Sequence, residues 1–161
     1  MNGAAGEPAG PTPALADEVD RALVDALRAD GRATLKALAE ITGLSVSAVQ
    51  ARVRRLEASG VIRGYVATVD PVTLGLPLAA LISITPLDPA QPDDAPERLA
   101  DITEIEACHS VAGDDAYVLF VRVASPSALE ELIREIRRRA NVTTRTTVVL
   151  QTFFDRPATP K

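Results

Sequence analysis

Residues 34–60, TLKALAEITGLSVSAVQARVRRLEASG, contain two helix signals separated by a glycine turn. Thr34, a good N-cap, precedes a short apolar pattern that stops at Gly43. Ser45 is a second cap and opens a longer helix that stops at Gly60, with inward positions at helical spacing: Val46, Val49, Val53 and Leu56. Two capped helices joined by a glycine turn predict a helix-turn-helix.

The residues before this stretch complete a three-helix unit. A cap at or near Asp17 and a stop at Gly31 bound a first helix, and one stripe of it is apolar: Val19, Ala22, Leu23, Ala26 and Leu27. Residues 1–15 are rich in Gly, Ala and Pro without periodicity, which predicts a disordered tail. We therefore expect a DNA-binding domain at residues 16–64.

After Gly60 the pattern changes to β-type residues. Residues 61–71 contain several of them and end in the turn signal Asp70-Pro71, so we expect a strand that leads out of the first domain. We assign residues 65–76 to a hinge strand and linker.

Residues 77–155 alternate strand and helix signals in the order βαββαβ. The predicted segments are strands 78–85, 107–112, 117–124 and 143–152 and helices 95–102 and 127–140. This order predicts a ferredoxin-like domain, an antiparallel four-stranded sheet with both helices on one face, so the chain is classed as α+β. Strands 78–85 and 117–124 carry consecutive aliphatic residues, which indicates burial on both faces. Sheet-to-sheet dimerisation would cover the second face; residues 156–161 are predicted to be a tail.

Composition excludes several classes of function. The chain of 161 residues is 47% hydrophobic but only 3% aromatic, and it has one cysteine, Cys108, and one histidine, His109. These counts argue against a metal site and an internal disulfide. No apolar run of about 18 residues predicts a membrane span. No catalytic residues are assigned, since neither an activated nucleophile nor a phosphate loop is recognisable. We expect a cytoplasmic protein with no cofactor.

The charge distribution favours nucleic-acid binding in one segment. The whole chain carries a net charge of −5, but residues 32–64 contain six basic and two acidic residues, a local net charge of +4. The acidic excess lies elsewhere, including residues 17–25 and 88–106. Such asymmetry predicts a basic surface that attracts nucleic acid, on a protein whose remaining surface is acidic and repels it.

The second helix of the helix-turn-helix is the expected reading helix. Its small and polar residues suit a DNA groove, and its arginines can contact guanine or phosphate. The predicted DNA-binding residues are Ser45, Ser47, Ala48, Gln50, Ala51, Arg52, Arg54 and Arg55. Arg52 lies nearer the core face, which favours a phosphate contact or a structural role. The alternative is that the arginines only complement the helix dipole and solvate an exposed face.

Several motifs in one order resemble those of the Lrp/AsnC regulators. They include residues 30–32 (DGR), 43–45 (GLS), 60–62 (GVI), 64–65 (GY), 112–115 (AGDD) and 148–150 (VVL). The resemblance spans residues 17–155. It implies a winged-type DNA-binding domain, a hinge strand, and an effector domain that dimerises and commonly builds octamers. It also implies double-stranded DNA as partner and an amino acid, or a related metabolite, as effector.

The loop after the second predicted strand is the expected effector site. Gly113 permits unusual backbone angles that expose amides to a carboxylate, and Asp114 and Asp115 can hold an ammonium group. The predicted effector-binding residues are Ser110, Ala112, Gly113, Asp114 and Asp115. The same residues are ordinary in a hairpin turn, and a turn can also line a pocket between subunits.

Two other classes of function remain open from the residues. Ferredoxin-like domains host many enzymes, although this chain shows no catalytic constellation. A bare ligand-binding module without DNA activity is the third class, and the intact helix at residues 45–59 argues against it.

Overall fold

The computed structural model describes Leu15 and residues 17–155, and these residues divide into two compact units, with the division between Thr68 and Val69. The division lies inside the predicted linker, residues 65–76. Apart from Leu15, the predicted tails at residues 1–15 and 156–161 lie outside the described residues. No helix in the described part of the chain is long and apolar enough to cross a membrane.

The first unit contains the three predicted helices: α1 (Glu18–Ala29), α2 (Leu35–Thr42) and α3 (Val46–Ala58). They enclose a small aliphatic core formed by Leu23, Leu38, Val49, Val53 and Leu56. Burying each such side chain contributes about 1.5–3 kcal/mol, so these five residues hold the helices together. The inward stripes predicted from the sequence are confirmed except at Val46, which was expected to face inward and is 47% exposed.

The predicted caps are confirmed as well. Asp17, Thr34 and Ser45 are the N-caps of α1, α2 and α3. Each side chain accepts a hydrogen bond from the backbone N–H three residues later, in the first turn of its helix, where that N–H has no partner within the helix. Gly43 ends α2 in the left-handed conformation with φ 70°, and its N–H donates to the carbonyl of Ala39. The turn between the two helices therefore needs a residue that tolerates positive φ.

The predicted strand over residues 61–71 is wrong for this single chain. No strand begins between Gly60 and Leu78, and Val66 is 93% exposed. β-Type side chains make a strand only when a neighbouring backbone satisfies their N–H and C=O groups. The described residues of this chain supply no such neighbour. Instead, Asp70 closes a turn by accepting hydrogen bonds from Thr73 and Val72. The bond from the Thr73 hydroxyl is the main cause that lowers the pKa of the Asp70 carboxyl, followed by the bond from the N–H of Val72.

The second unit has the predicted βαββαβ order. Its elements are β1 (Leu78–Pro86), α4 (Ala95–Leu99), β2 (Ile105–Ser110), β3 (Tyr117–Val123), α5 (Pro126–Ala140) and β4 (Val142–Val148). The strands form one antiparallel sheet in the order β2-β3-β1-β4. The ferredoxin-like prediction is confirmed, and the protein is α+β.

The predicted bounds of three elements, α4, β2 and β4, are wrong. Helix α4 ends at Leu99 rather than at residue 102, because tight turns from Leu99 and Ile102 follow it. Strand β2 occupies residues 105–110 rather than 107–112, with a register shift between Ile105 and Ala107. Strand β4 ends at Val148, which pairs with Ala80 of β1, rather than at residue 152.

The two faces of the sheet differ in burial. Ile82 and Ile84 of β1 and Leu119 of β3 are fully buried in one cluster with residues of α4 and α5. Because side chains alternate along a strand, Leu81 of β1 and Phe120 of β3, which are paired in register, lie on the opposite face. We call this opposite surface the open face; Leu81 on it is 41% exposed. The predicted burial on both faces therefore holds only in part within one chain.

Candidate nucleic-acid interface and ligand loop

The outward face of α3 carries the predicted DNA-binding residues. Val49, Val53 and Leu56 face the core. Six of the eight predicted residues are exposed: Ser45, Ser47, Gln50, Ala51, Arg54 and Arg55. Ala48 and Arg52 are partly buried. The helical period therefore gathers the exposed small, polar and basic residues on one continuous surface.

The first turn of α3 is held by its own side chains. The hydroxyl oxygen of Ser45 accepts a hydrogen bond from the N–H of Ala48 at 3.3 Å and lies 3.1 Å from the hydroxyl oxygen of Ser47. Ser45 thus caps the helix that it opens, and this turn presents the positive end of the helix dipole. Such an end favours a nearby anion.

Arg52 forms ion pairs with two acidic residues, Asp17 at the N-cap of α1 and Asp20 within α1. Its Nη1 atom lies 2.7 Å from Oδ2 and 2.9 Å from Oδ1 of Asp17, and 2.9 Å from Oδ1 of Asp20. The hydrogen bond to Asp17 is the main cause that raises the pKa of Arg52. The pKa of Asp17 is lowered, first by the backbone N–H of Asp20 and then by Arg52. Arg52 therefore ties α3 to α1 through a single nitrogen, and only 27% of its side chain is exposed, which favours a structural role.

Arg55 shares the second carboxylate. Its Nη2 atom lies 2.5 Å from Oδ2 of Asp20, while 52% of its side chain stays exposed. Asp20 itself has no exposed surface. Sequence reasoning missed Asp20, because it counted only as part of an acidic excess. The available signal was its position three residues before Leu23, on the inward stripe of α1, where a charged group needs a partner.

Arg54 differs from its two neighbours on α3. It is exposed, and none of the side chains in the described part of the chain forms a hydrogen bond or ion pair with it. Its charge is therefore uncompensated on the outward face.

The predicted effector residues lie at one end of the sheet. Ser110 ends β2, and residues 111–116 connect it to β3; the N–H of Val111 donates to the carbonyl of Ala116 at 3.2 Å. Gly113 has φ 148°, and a Cβ atom added there would meet no atom within 4 Å. Ser110, Ala112, Gly113 and Asp114 are all exposed.

Asp115 is the partly buried member of this group. Its Oδ2 atom lies 2.5 Å from Nη2 of Arg145 on β4. The pair links the loop to the far edge strand, so the carboxylate of Asp115 is already matched by a cation. Asp114 is exposed to solvent and is the better placed of the two to meet an ammonium group.

A cavity of about 440 Å³ in the second unit lies away from this loop. It is bordered by residues 101–104, the end of β3 and one side of α5, and none of the five predicted effector residues lines it. Arg139 in its wall is bound to Asp101 and Glu135. Among the described residues, no group of three His, Cys, Asp or Glu side chains is close enough to hold a metal ion.

Comparison with known proteins identifies both units. Residues 17–63 match the winged helix-turn-helix DNA-binding family, and residues 79–159 match the Lrp/AsnC ligand binding domain. The chain is 60% identical over 138 residues to the HTH-type transcriptional regulator LrpA of Mycobacterium tuberculosis, covering 86% of this chain and 92% of that protein. It is 36% identical over 140 residues to the leucine-responsive regulatory protein of Escherichia coli (strain K12), covering 84% and 85%.

Solved structures give the same answer. One is a feast or famine regulatory protein from Mycobacterium tuberculosis complexed with L-methionine; it is 59% identical, with a TM-score of 0.86, covering 89% of this chain and 99% of that one. Another is the leucine response regulatory protein LrpA of the same organism, 57% identical with a TM-score of 0.82 and the same coverage. The chain therefore belongs to the Lrp/AsnC family and is a transcriptional regulator, not an enzyme, with a DNA-binding helix-turn-helix domain and a ligand-binding domain.

Proposed function

We propose that the exposed face of α3 enters the major groove of double-stranded DNA. The observation that carries this proposal is an exposed surface of α3, in which Ser47, Arg54 and Arg55 lie opposite the buried Val49 and Gln50 lies at its flank. Serine and glutamine bond to base edges, and arginine bonds to guanine or phosphate. The capped first turn adds a favourable dipole for a phosphate. A chromosomal target also implies a cytoplasmic protein.

The test is the double variant Arg54→Ala with Arg55→Ala. Removing two phosphate-reaching cations weakens binding to the protein's own upstream DNA and lowers the slope of log affinity against log salt by about 1 to 2. Mobility shifts at several salt concentrations measure both quantities. The matched control is Arg134→Ala, an exposed arginine of α5 that pairs with Glu130 and leaves DNA binding unchanged.

Unchanged affinity and slope in the double variant contradict the assigned face. If the unaltered protein binds no DNA under any condition, the alternative of a bare ligand-binding module is favoured.

We further propose that an amino acid is the effector and that it binds at the loop of Ser110, Ala112, Gly113, Asp114 and Asp115. The relative in complex with L-methionine supports the ligand class. Gly113 leaves its backbone open to a carboxylate, and Asp114 is exposed to receive an ammonium group. The test is calorimetric titration with each of the twenty L-amino acids, followed by mobility shifts with those that bind.

We propose that a second copy of the chain covers the open face and completes this site. Leu81 and Phe120 are paired at the centre of that face, and 41% of Leu81 is exposed. Burying such apolar surface is favourable. Members of the family commonly form octamers built from dimers, and we expect the same assembly here. Each dimer then offers two α3 helices to neighbouring major-groove sites.

In this mechanism the effector changes DNA binding by favouring one assembly over another. Such coupling requires that the amino acid binds one arrangement more tightly than the other. A site shared between two copies meets this requirement, because its shape depends on how the copies are arranged.

A further inference from the structure

The three arginines of α3 stand in three different situations. Arg52 is mostly buried and directs one nitrogen at two carboxylates. Arg54 is exposed and contacts none of the charged side chains described. Arg55 is half-exposed and engages Asp20 through Nη2. A count of charges treats the three side chains as equal, but they differ in exposure and in their acidic partners.

The two carboxylate oxygens of Asp20 accept hydrogen bonds from two different arginines. Its Oδ1 atom lies 2.9 Å from Nη1 of Arg52, and its Oδ2 atom lies 2.5 Å from Nη2 of Arg55. Asp20 has no exposed surface, so its charge needs compensating partners, and these two arginines are among them. The carboxylate is anchored on α1 beside the buried Leu23, within the core that also holds α3. Asp20 therefore fixes where the guanidinium of Arg55 lies.

Arg55 keeps donors for a ligand while it is held. A guanidinium has five N–H groups in a planar fork, and the bond to Asp20 is made through one nitrogen. A free arginine loses much rotamer freedom when it binds a ligand, and a side chain that is already oriented loses less.

We propose that Asp20 is a positioning residue that presents Arg55 to a DNA phosphate. Arg55 lies near the C-terminal end of α3, whereas the N-terminal residues of a recognition helix contact base edges, so a phosphate is its expected target. This inference rests on the proposed DNA-binding role of α3.

Simple electrostatics predicts the opposite effect for Asp20. Removing a carboxylate close to DNA reduces repulsion, and it also releases Arg52 and Arg55 from competition with phosphate. Both effects would tighten DNA binding. Positioning predicts weaker binding, because Arg55 then has to be ordered by the DNA itself. The sign of the change therefore separates the two ideas.

The first arm of the test compares Arg55→Lys with Arg54→Lys in the full chain. Both keep the charge, but lysine lacks the planar fork that Asp20 orients. We expect Arg55→Lys to weaken DNA binding about ten-fold and Arg54→Lys about two-fold or less, within the range for single contacts. Equal losses in the two variants overturn the proposal. This arm leaves Asp20 and its bond to Arg52 in place, so the first unit keeps its fold.

The second arm is a double-variant cycle in mobility shifts. Asp20→Asn alone weakens binding about ten-fold, and in an Arg55→Ala background it has almost no further effect, because it acts through Arg55. Tighter binding of Asp20→Asn, or an equal loss in both backgrounds, overturns the proposal. The control Asp25→Asn removes a charge from the exposed side of α1, where Asp25 pairs with Arg28, and leaves affinity unchanged.

Circular dichroism establishes whether each variant folds, and if Asp20→Asn does not fold, the lysine pair decides. Arg54→Ala separates this inference from the proposed function. If Arg54→Ala weakens binding but Arg55→Lys does not, only the positioning role fails. If neither Arg54→Ala nor Arg55→Ala changes binding, the α3 face itself is wrong.

Discussion

The hydroxyl of Tyr117, the first residue of β3, donates a hydrogen bond to Oδ1 of Asp93 at 2.5 Å. This bond joins a sheet strand to the loop before α4. The accepting carboxylate raises the pKa of Tyr117 to about 12, with burial as the next cause. The pair therefore locks a loop through a phenol that must remain protonated.

Tyr117 makes the stability of the second unit depend on alkaline pH. The folded state holds the phenol proton more tightly than the unfolded chain, whose tyrosines have a pKa near 10.0. The stabilisation is therefore complete below pH 10 and is lost as the pH rises towards 12. We expect Tyr117→Phe to cost about 1–2 kcal/mol in urea unfolding at pH 7 and to flatten the alkaline decline.

The chain has two tyrosines, so replacing one of them by phenylalanine leaves a single phenol whose titration can be followed by absorbance at alkaline pH. In Tyr65→Phe the remaining tyrosine should titrate near pH 12. In Tyr117→Phe the remaining Tyr65 also has a raised pKa, caused first by burial and then by its hydrogen bond to Glu57. Titration of Tyr117 at the pH of a free phenol would contradict the bond to Asp93.

Ser45 has two roles that substitution can separate. Ser45→Ala removes the cap of α3 and costs about 1 kcal/mol of unfolding free energy. Ser45→Asp keeps a capping oxygen and adds a charge that suits a helix N-terminus, so stability returns to near its original value. Its carboxylate repels phosphate, and we expect DNA affinity to fall about ten-fold or more. Urea unfolding and mobility shifts measure the two effects. Retained affinity in Ser45→Asp would place DNA away from this turn.

Gly113→Val should abolish the effector response and leave DNA binding intact. A branched side chain at φ 148° is strained by about 1–3 kcal/mol, so the loop must change shape. Mobility shifts with and without the active amino acid measure the response. Gly75→Val is the control, because Gly75 also has positive φ but lies outside this loop. A surviving response in Gly113→Val means that the effector binds elsewhere.

Leu81→Asp should break the proposed dimer across the open face into monomers. It places a charge at the centre of the open face, where the proposed interface would bury it without a partner. Analytical ultracentrifugation measures the change in mass. Leu87→Asp is the control, because Leu87 is 59% exposed but follows β1 instead of lying within the sheet. A dimer that persists in Leu81→Asp uses another surface.

The strand over residues 61–71 shows one limit of sequence reasoning. The segment does contain residues of high β-propensity, but the described chain forms no strand there, and Val66 is almost fully exposed. A strand is a relationship between two backbones, whereas propensity describes one. The ends of β4 and β2 were misplaced for the same reason, since pairing with β1 and β3 sets where they stop.

Local sequence patterns are enough to predict the three helices of the first unit, their caps at Asp17, Thr34 and Ser45, and the βαββαβ order of the second. These features depend on local spacing and on hydrogen bonds that span three or four residues. The contacts of the α3 arginines, in contrast, depend on how the helices pack. Arg55 lies 35 residues from Asp20 along the chain, and their pairing exists only because the core packs α1 against α3. Residue types mark that a charge is present, but only the fold determines which opposite charge it meets.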